Sequence, residues 1–335
     1  MRGLTNIIIP AIEINDELLK CLTEINKIHF SNFFVSILLD RDSKRKIPKF
    51  RYKLNKLVVG KINMSKKRNI AAKKYKSKFI AFLDSDAYPN ENWLKMGTKY
   101  LKEKKAEVVG GPGIPFPNQS YSQKICYLSK RSYFVTGYLN FRKYKTTKRY
   151  CDWLESCNLI MENFFFLKYG GMDPNRYTGE DKEFFERVRK KNPSLRVLYS
   201  PDLYVYHRER RYIGFLLQRS CFGMDFLNLV KLNSGIKGLE PLLPIFIFFI
   251  FFATIFSNIE QASKFNILVF MITLINIIIF VDIIRYIKNL KTLFLTLISI
   301  NLANLSFAFG GILTFLGLKK FLVSKTYLLS RKRKE

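Results

Sequence analysis

The feature that most restricts this chain is a change of character near residue 238. Ahead of it charged and apolar residues are mixed; behind it residues 241–257, 265–284 and 292–318 are long apolar runs, rich in Ile, Leu and Phe. A soluble core accommodates one such helix, but three in succession point to a bilayer. The second and third runs are long enough to cross one, at about 20 residues per crossing. The first is at the short limit and begins with Pro241 and Pro244. The resulting organisation is a domain over residues 1–238, a hydrophobic transmembrane region over 239–320 and a basic cytosolic tail over 321–335.

Charge adds an orientation. The chain carries a net +31. Residues 240–335 hold 11 basic and 4 acidic side chains, which leaves 46 basic against 22 acidic in the part ahead of them. A domain this basic belongs on the cytoplasmic side of a multi-pass cell-membrane protein and suits anionic partners such as nucleotide diphosphates and lipid phosphates. A lysine-rich surface is also what solvation alone would select. The tail Ser330-Arg-Lys-Arg-Lys-Glu335 should stay inside too, yet three full crossings would put it outside. Either one segment is re-entrant or interfacial, or the third is a hairpin bent at Gly310-Gly311. Asp282 and Arg285, at the end of the second run, are expected to reach the interface. Five scattered cysteines, at 21, 126, 151, 157 and 221, form no CxxC pair and no zinc spacing, which fits a reducing compartment. The start, Met1 to Pro10, has too short an apolar run for a signal peptide and reads as a first strand.

The first domain alternates strands with helices. Strands are expected at 4–9, 33–39, 57–59, 79–83, 107–110, 157–161 and 196–199, and helices at 15–29, 64–76, 91–104 (capped by Asn90) and 180–191. Such alternation builds βαβ units around a mainly parallel sheet, the α/β class. Ligands bind such sheets at the carboxyl ends of strands, where Asp40 and Asp84 fall. Residues 111–150 read as irregular, because Pro112, Pro115 and Pro117 break any helix there.

The chemistry centres on Phe82-Leu83-Asp84-Ser85-Asp86, where an apolar strand delivers two carboxylates at i and i+2, pointing the same way from an extended backbone. Hard divalent cations take carboxylate oxygens and bind diphosphates beside them. A polar turn ending a strand would look alike. Thr178-Gly-Glu-Asp181 reads both as an N-capping box, with Asp181 at the third helical position, and as a site where a carboxylate takes a proton from an acceptor hydroxyl. His207 follows a strand-like Leu203 to Tyr206 and precedes Arg208, Arg210 and Arg211. It is either a metal ligand or a structural residue.

Taken together these motifs resemble the family 2 glycosyltransferases, which have the GT-A (Rossmann-like) fold. The resemblance runs over about residues 4–225 and rests on Ile7-Ile8-Ile9-Pro10, Leu38-Leu39-Asp40, Lys67-Arg68-Asn69-Ile70-Ala71, Asp84-Ser-Asp86 with Trp93-Leu94, Gly170-Gly171-Met-Asp173, Thr178-Gly-Glu-Asp181 and Tyr206-His207. It implies that Pro10 and Glu13 lie near the nucleotide, that Asp40 contacts the base, and that Arg68 sits beside the base or diphosphate. Asp84 and Asp86 would hold the nucleotide sugar and a divalent metal (Mg2+ or Mn2+), with His207 as a further ligand. Asp181 would be the general base, with Glu180 beside it. Two departures bear on the nucleotide: Ala11-Ile12-Glu13-Ile14 is more apolar than the usual segment, and Asp40-Arg41-Asp42 replaces the usual adjacent acids. Around Gln218-Arg219-Ser220-Cys221-Phe222-Gly223 the Gln-x-x-Arg-Trp of processive synthases is missing, which argues for transfer of one or a few sugars.

The expected function is therefore inverting, metal-dependent transfer of a sugar from a nucleotide-sugar donor to a lipid-linked or other glycan acceptor, in glycan or polysaccharide assembly. A polyprenyl-phosphate sugar synthase is the nearest alternative. A non-catalytic membrane scaffold that binds anionic lipid or nucleic acid is the alternative from another class. Nucleic acid is not the expected partner.

Overall fold

The computed structural model describes residues 3–176, 178–225 and 243–317. The boundary at residue 238 and the basic tail lie outside them. Contacts within the chain define two units: residues up to Pro117 together with Phe141–Arg208, and Asn118–Asn140 together with residues from Glu209 onward.

The first unit is built on an eight-stranded sheet. Strands β1 (Thr5–Pro10), β2 (Phe33–Leu39) and β4 (Phe79–Leu83) are buried at every position. Continuous apolar strands of this kind are covered on both faces, as parallel strands are. β1 runs parallel to both β2 (Ile9↔Ile37) and β4 (Ile8↔Phe82), and β3 (Lys53–Val58) adds a parallel edge strand. The lysines of β3 fall where an exposed edge needs charge to deter pairing. On the other side β9 (Asn158–Glu162) enters antiparallel between β4 and β6 (Val108–Gly110), followed by β10 (Val197–Tyr199) and β8 (Arg149–Tyr150). A second sheet joins β5 (Ala87–Pro89), β11 (Val205–His207) and β7 (Gly113–Ile114). This α/β architecture puts Pro10, Leu39 and Leu83, the last residues of three parallel strands, along one edge.

Helix α1 (Asp16–Ile25) starts at Asn15, whose side chain accepts from the Leu18 N–H, and buries Leu18, Cys21, Leu22 and Ile25 at helical spacing. Helix α2 (Met64–Lys74) is capped by Asn63. Helix α3 (Trp93–Lys102) begins later than expected: the Asn90 side-chain oxygen accepts the Asn92 N–H at 3.0 Å just ahead of it, while the Asn90 amide donates to the Asp202 and Tyr204 carbonyls at 2.9 Å. The third strand occupies residues 53–58 rather than 57–59.

The stretch expected to be irregular contains α4 (Tyr121–Arg131), with a complete capping box between Ser120 and Gln123, and the short α5 (Tyr133–Thr136). Helices α6 (Asn163–Lys168) and α7 (Glu180–Lys191) return to the first unit. The second unit adds α8 (Tyr212–Met224), α9 (Leu243–Phe256), α10 (Gln261–Ile284) and α11 (Leu290–Phe315). Two of these, α10 (mean hydropathy 2.9) and α11 (1.7 over Leu290–Thr314), are long and apolar enough to cross a membrane. Helix α11 is continuous through Gly310 and Gly311, so no hairpin forms there. Its buried face mixes small and polar residues (Thr292, Thr296, Ser299, Ala303, Gly310) with Leu293, Ile300 and Phe307, while Phe294, Ile298, Leu302, Leu305 and Phe309 are exposed. Asp282 does not reach outward: its carboxylate accepts from the Ser132 hydroxyl (2.7 Å) and the Tyr133 N–H (3.1 Å), and only Arg285 is exposed.

Candidate active site

The end of β4 and the register of the small sheet assemble three side chains. Asp84 and Asp86 follow β4 directly. His207 arrives because β11 pairs antiparallel with β5, placing His207 opposite Ala87, beside Asp86. The Arg208 N–H donates to the Asp86 carbonyl at 3.1 Å and locks that register. His207 Nε2 lies 3.5 Å from Asp84 Oδ2 and 3.6 Å from Asp86 Oδ1, and one ligand atom from each of the three falls within 4.8 Å of the others. Two carboxylate oxygens and one imidazole nitrogen form a donor set that suits Mn2+ or Mg2+ and leaves further positions for phosphate oxygens. The cluster therefore fits the metal that the sequence implied.

Arg68, almost fully buried on α2, ties this cluster to the acid pair. Its Nη2 lies 3.0 Å from Asp84 Oδ1, its Nη1 lies 3.4 Å from Glu180 Oε1, and the guanidinium stands 5.7 Å over the Phe82 ring. A buried cation is tolerable only with such partners. Glu180 and Asp181 occupy the first turn of α7. The expected capping box does not form: Gly179 is the N-cap, in the left-handed region at φ +67°, without a side-chain cap, and Asp181 is the second helical residue rather than the third. Burial pushes the Asp181 carboxyl up to about 7, and the neighbouring Glu180 charge adds to the rise. Arg68 and hydrogen bonds from Ser156 oppose it. Burial also raises Glu180, against the pull of Arg68. A carboxyl poised near neutrality can accept a proton at working pH.

The remaining expected residues have different immediate partners. Pro10 is buried at the end of β1, in register with Leu38. Asp40 pairs with Lys67, a fully buried lysine that also donates to the Ala11 carbonyl. Glu13 is bonded by Arg41 at 2.7 Å, which lowers its pKa.

Several supports were not foreseen. Asn69 grips the Met172 backbone twice, accepting its N–H at 2.9 Å and donating to its carbonyl at 2.7 Å. Arg187 holds the Gly171 carbonyl at 2.6 Å from the other side. Gly171 has φ +71°, and a Cβ there would lie 2.5 Å from Asn69 Oδ1, so only glycine passes. Burial alone would raise Glu155, but Lys143, with Nζ at 2.7 Å, and Arg142 outweigh it and hold the carboxyl down to about 2. The signals for Asn69 and Gly171 were present in Lys67-Arg68-Asn69 and Gly170-Gly171; Ser156 and Glu155 carried none.

Residues 6–166 match the family model described as Glycosyl transferase family 2. That segment is a family 2 glycosyltransferase domain. Among solved structures the transferase is similar to the mannosyltransferase PcManGT from Pyrobaculum calidifontis in complex with GDP-Man and Mn2+, at 10% identity over 93% of this chain and 87% of that one, with a TM-score of 0.57. That likeness establishes the GT-A-like fold. S. aureus TarS 1-349 in complex with UDP-GlcNAc matches at 15% identity over 94% of this chain and 92% of that fragment, with a TM-score of 0.47. Against the longer S. aureus TarS structure the identity is 17% and the TM-score 0.44, and the match takes in 76% of this chain and 44% of that one. No curated protein matches the sequence.

Proposed function

We propose that the transferase moves one sugar from a nucleotide-sugar donor to a lipid-linked acceptor with inversion at the anomeric carbon, in a metal-dependent reaction of glycan assembly. The observation that carries this reading is the line of side chains from the Asp84–Asp86–His207 cluster through Arg68 to Glu180 and Asp181. It sets a metal-competent, cation-backed end for a leaving diphosphate beside a carboxyl that titrates near neutrality.

Asp84, Asp86 and His207 would hold the ion, which when bound supplies Lewis-acid stabilisation of the departing diphosphate. Arg68 fixes the Asp84 carboxylate and adds positive charge where negative charge develops. Asp181, when ionised, takes the proton from the acceptor hydroxyl as its oxygen attacks the anomeric carbon. The bond to the diphosphate breaks on the opposite face, so a single displacement inverts the configuration. Pro10, Glu13 and Asp40 belong to the nucleotide end, at the carboxyl edge of the sheet. Helices α10 and α11 support a multi-pass anchor, with the catalytic domain (to about residue 238) on the cytoplasmic side, and an acceptor confined to the same membrane.

The test is the product. Detergent-purified protein, membrane lipid extract and a panel of labelled nucleotide sugars should give label in the organic phase, with the anomeric configuration opposite to the donor's. Retained configuration would contradict the mechanism, and label confined to water-soluble product would contradict the acceptor. Persistent turnover by Asp181→Asn would move the acceptor from a hydroxyl to a lipid phosphate, which needs no proton removed.

A further inference from the structure

A sugar passed from a diphosphate on the metal cluster to an oxygen at Asp181 lies along the segment that joins those two points, and that segment is the start of β9. β9 runs antiparallel to β4, so it begins where β4 ends: Asn158 stands opposite Leu83. The three residues ahead of it, Glu155, Ser156 and Cys157, are therefore level with Asp84–Asp86 at the carboxyl edge of the sheet. A Cβ built on Gly113 would meet His207 Cβ at 3.6 Å and Cys157 Sγ at 4.0 Å, so Cys157 lies beside the metal cluster. Ser156 bonds Asp181. The segment is held firmly: the Asn158 N–H donates to the Glu155 carbonyl at 3.0 Å, and the Asn158 side chain accepts from Trp93 Nε1 at 2.8 Å and donates to the Leu203 carbonyl at 2.6 Å.

Glu155 is the charged group of that segment. Lys143 Nζ donates to both carboxylate oxygens at 2.7 Å, and Arg142 Nη2 stands 3.9 Å from Oε1. The Arg142 guanidinium is braced in turn by the Trp153 ring, 3.8 Å away. Partial burial would raise the Glu155 carboxyl, but the two cations hold it down to about 2. It is therefore ionised at working pH and only accepts hydrogen bonds, with lone pairs beyond those that Lys143 uses. Its side chain keeps 27% of its surface open against 15% for Lys143, so the carboxylate is the more open partner of the pair. A fixed, ionised acceptor is complementary to hydroxyl donors, and the sugar is the part of the donor that carries them here.

We infer that Glu155, held by Lys143 and Arg142, accepts hydrogen bonds from hydroxyl groups of the transferred sugar and selects donors by them, a role that rests on the transferase reading proposed above. A site built around a hydroxyl discriminates against a donor that lacks it, because the acceptor is then left unpaired.

The full-length protein in neutral detergent with Mn2+ is titrated with UDP-GlcNAc, UDP-glucose, UDP-galactose and GDP-mannose, and with UDP and GDP. Wild type should bind at least one of the nucleotide sugars. Glu155→Gln keeps the shape but removes the charge, so its affinity for that nucleotide sugar should fall about tenfold or more, while its affinity for the parent nucleoside diphosphate stays within about twofold of wild type. Equal loss of both ligands overturns the inference, because the Lys143–Glu155 pair is then a structural tie. Loss of neither overturns it too, because the sugar then lies elsewhere. Should Glu155→Gln not fold, Glu155→Asp keeps a charge for Lys143 but withdraws it by one methylene, and the same split between nucleotide sugar and nucleotide decides. Folded wild type that binds a nucleotide but none of the sugars overturns this role alone, whereas folded wild type that binds none of these ligands counts against the transferase reading itself.

Discussion

Replacing Asp181 by Asn should abolish transfer and at the same time stabilise the protein. The carboxyl is raised from 3.8 to about 7, chiefly by burial and then by Glu180. A pKa higher in the folded than in the unfolded chain means that the ionised form is penalised on folding. The penalty is absent below about pH 4, grows between about 4 and 7, and is constant above. At 1.36 kcal/mol per unit it reaches about 4 kcal/mol as an upper bound. Asn keeps the shape and an acceptor for Ser156 but carries no charge, so it recovers part of this. Its advantage over wild type should grow by up to ~3 kcal/mol from pH 5 to pH 8, which corresponds to a few degrees in unfolding temperature. Transfer to a hydroxyl acceptor should fall by about 10²–10⁴, the usual contribution of a general base. Thermal unfolding of detergent-purified wild type and variant, with chelator present at both pH values, reads the first effect; labelled-sugar transfer reads the second. A variant no more stable than wild type at pH 8, or an increment that ignores pH, would refute the claim that this carboxylate is held at a folding cost.

Two further expectations follow from the same geometry. Glu180→Gln removes a charge that raises Asp181, so the acid limb of the pH–rate profile should move to lower pH; an unmoved limb contradicts the assigned cause. Gly171→Ala forces a side chain into φ +71° and against an Asn69 amide already fixed by Met172. It should cost about 1–3 kcal/mol, seen as a lower denaturation midpoint, whereas an unchanged midpoint would show that the loop ahead of α7 adjusts freely.

The parts of the site whose residues are close neighbours along the chain are legible in the sequence. Asp84 and Asp86 follow an apolar strand at i and i+2, and Glu180 and Asp181 open a helix whose charge pattern runs from acidic to basic. What brings these pairs together is not legible there. Arg68 reaches across 112 residues to Glu180, and His207 depends on the β5–β11 register rather than on its own flanks. Strand direction is hidden as well: an apolar strand buried on both faces looks alike whichever way it runs, so antiparallel β9 reads as part of a mainly parallel sheet. Helix α4 is masked by the prolines ahead of it, although Ser120 and Gln123 spell out its capping box. Its apolar face is narrow because part of what it meets is hydroxyl-bearing, as in Ser129 against Ser299, 170 residues away. The placement of Asp282 is hidden for the same reason, since its partner Ser132 lies 150 residues distant in sequence.

Metal-dependent turnover of a nucleotide sugar is the most direct test of the proposed chemistry. Nucleotide release from a panel of donors is measured with purified protein, with and without Mn2+ or Mg2+, beside an Asp84→Ala/Asp86→Ala variant whose thermal unfolding shows it folded. The expected result is release that requires the ion with at least one donor and disappears in the variant. Release that is indifferent to chelator, or that survives loss of both carboxylates, would contradict it.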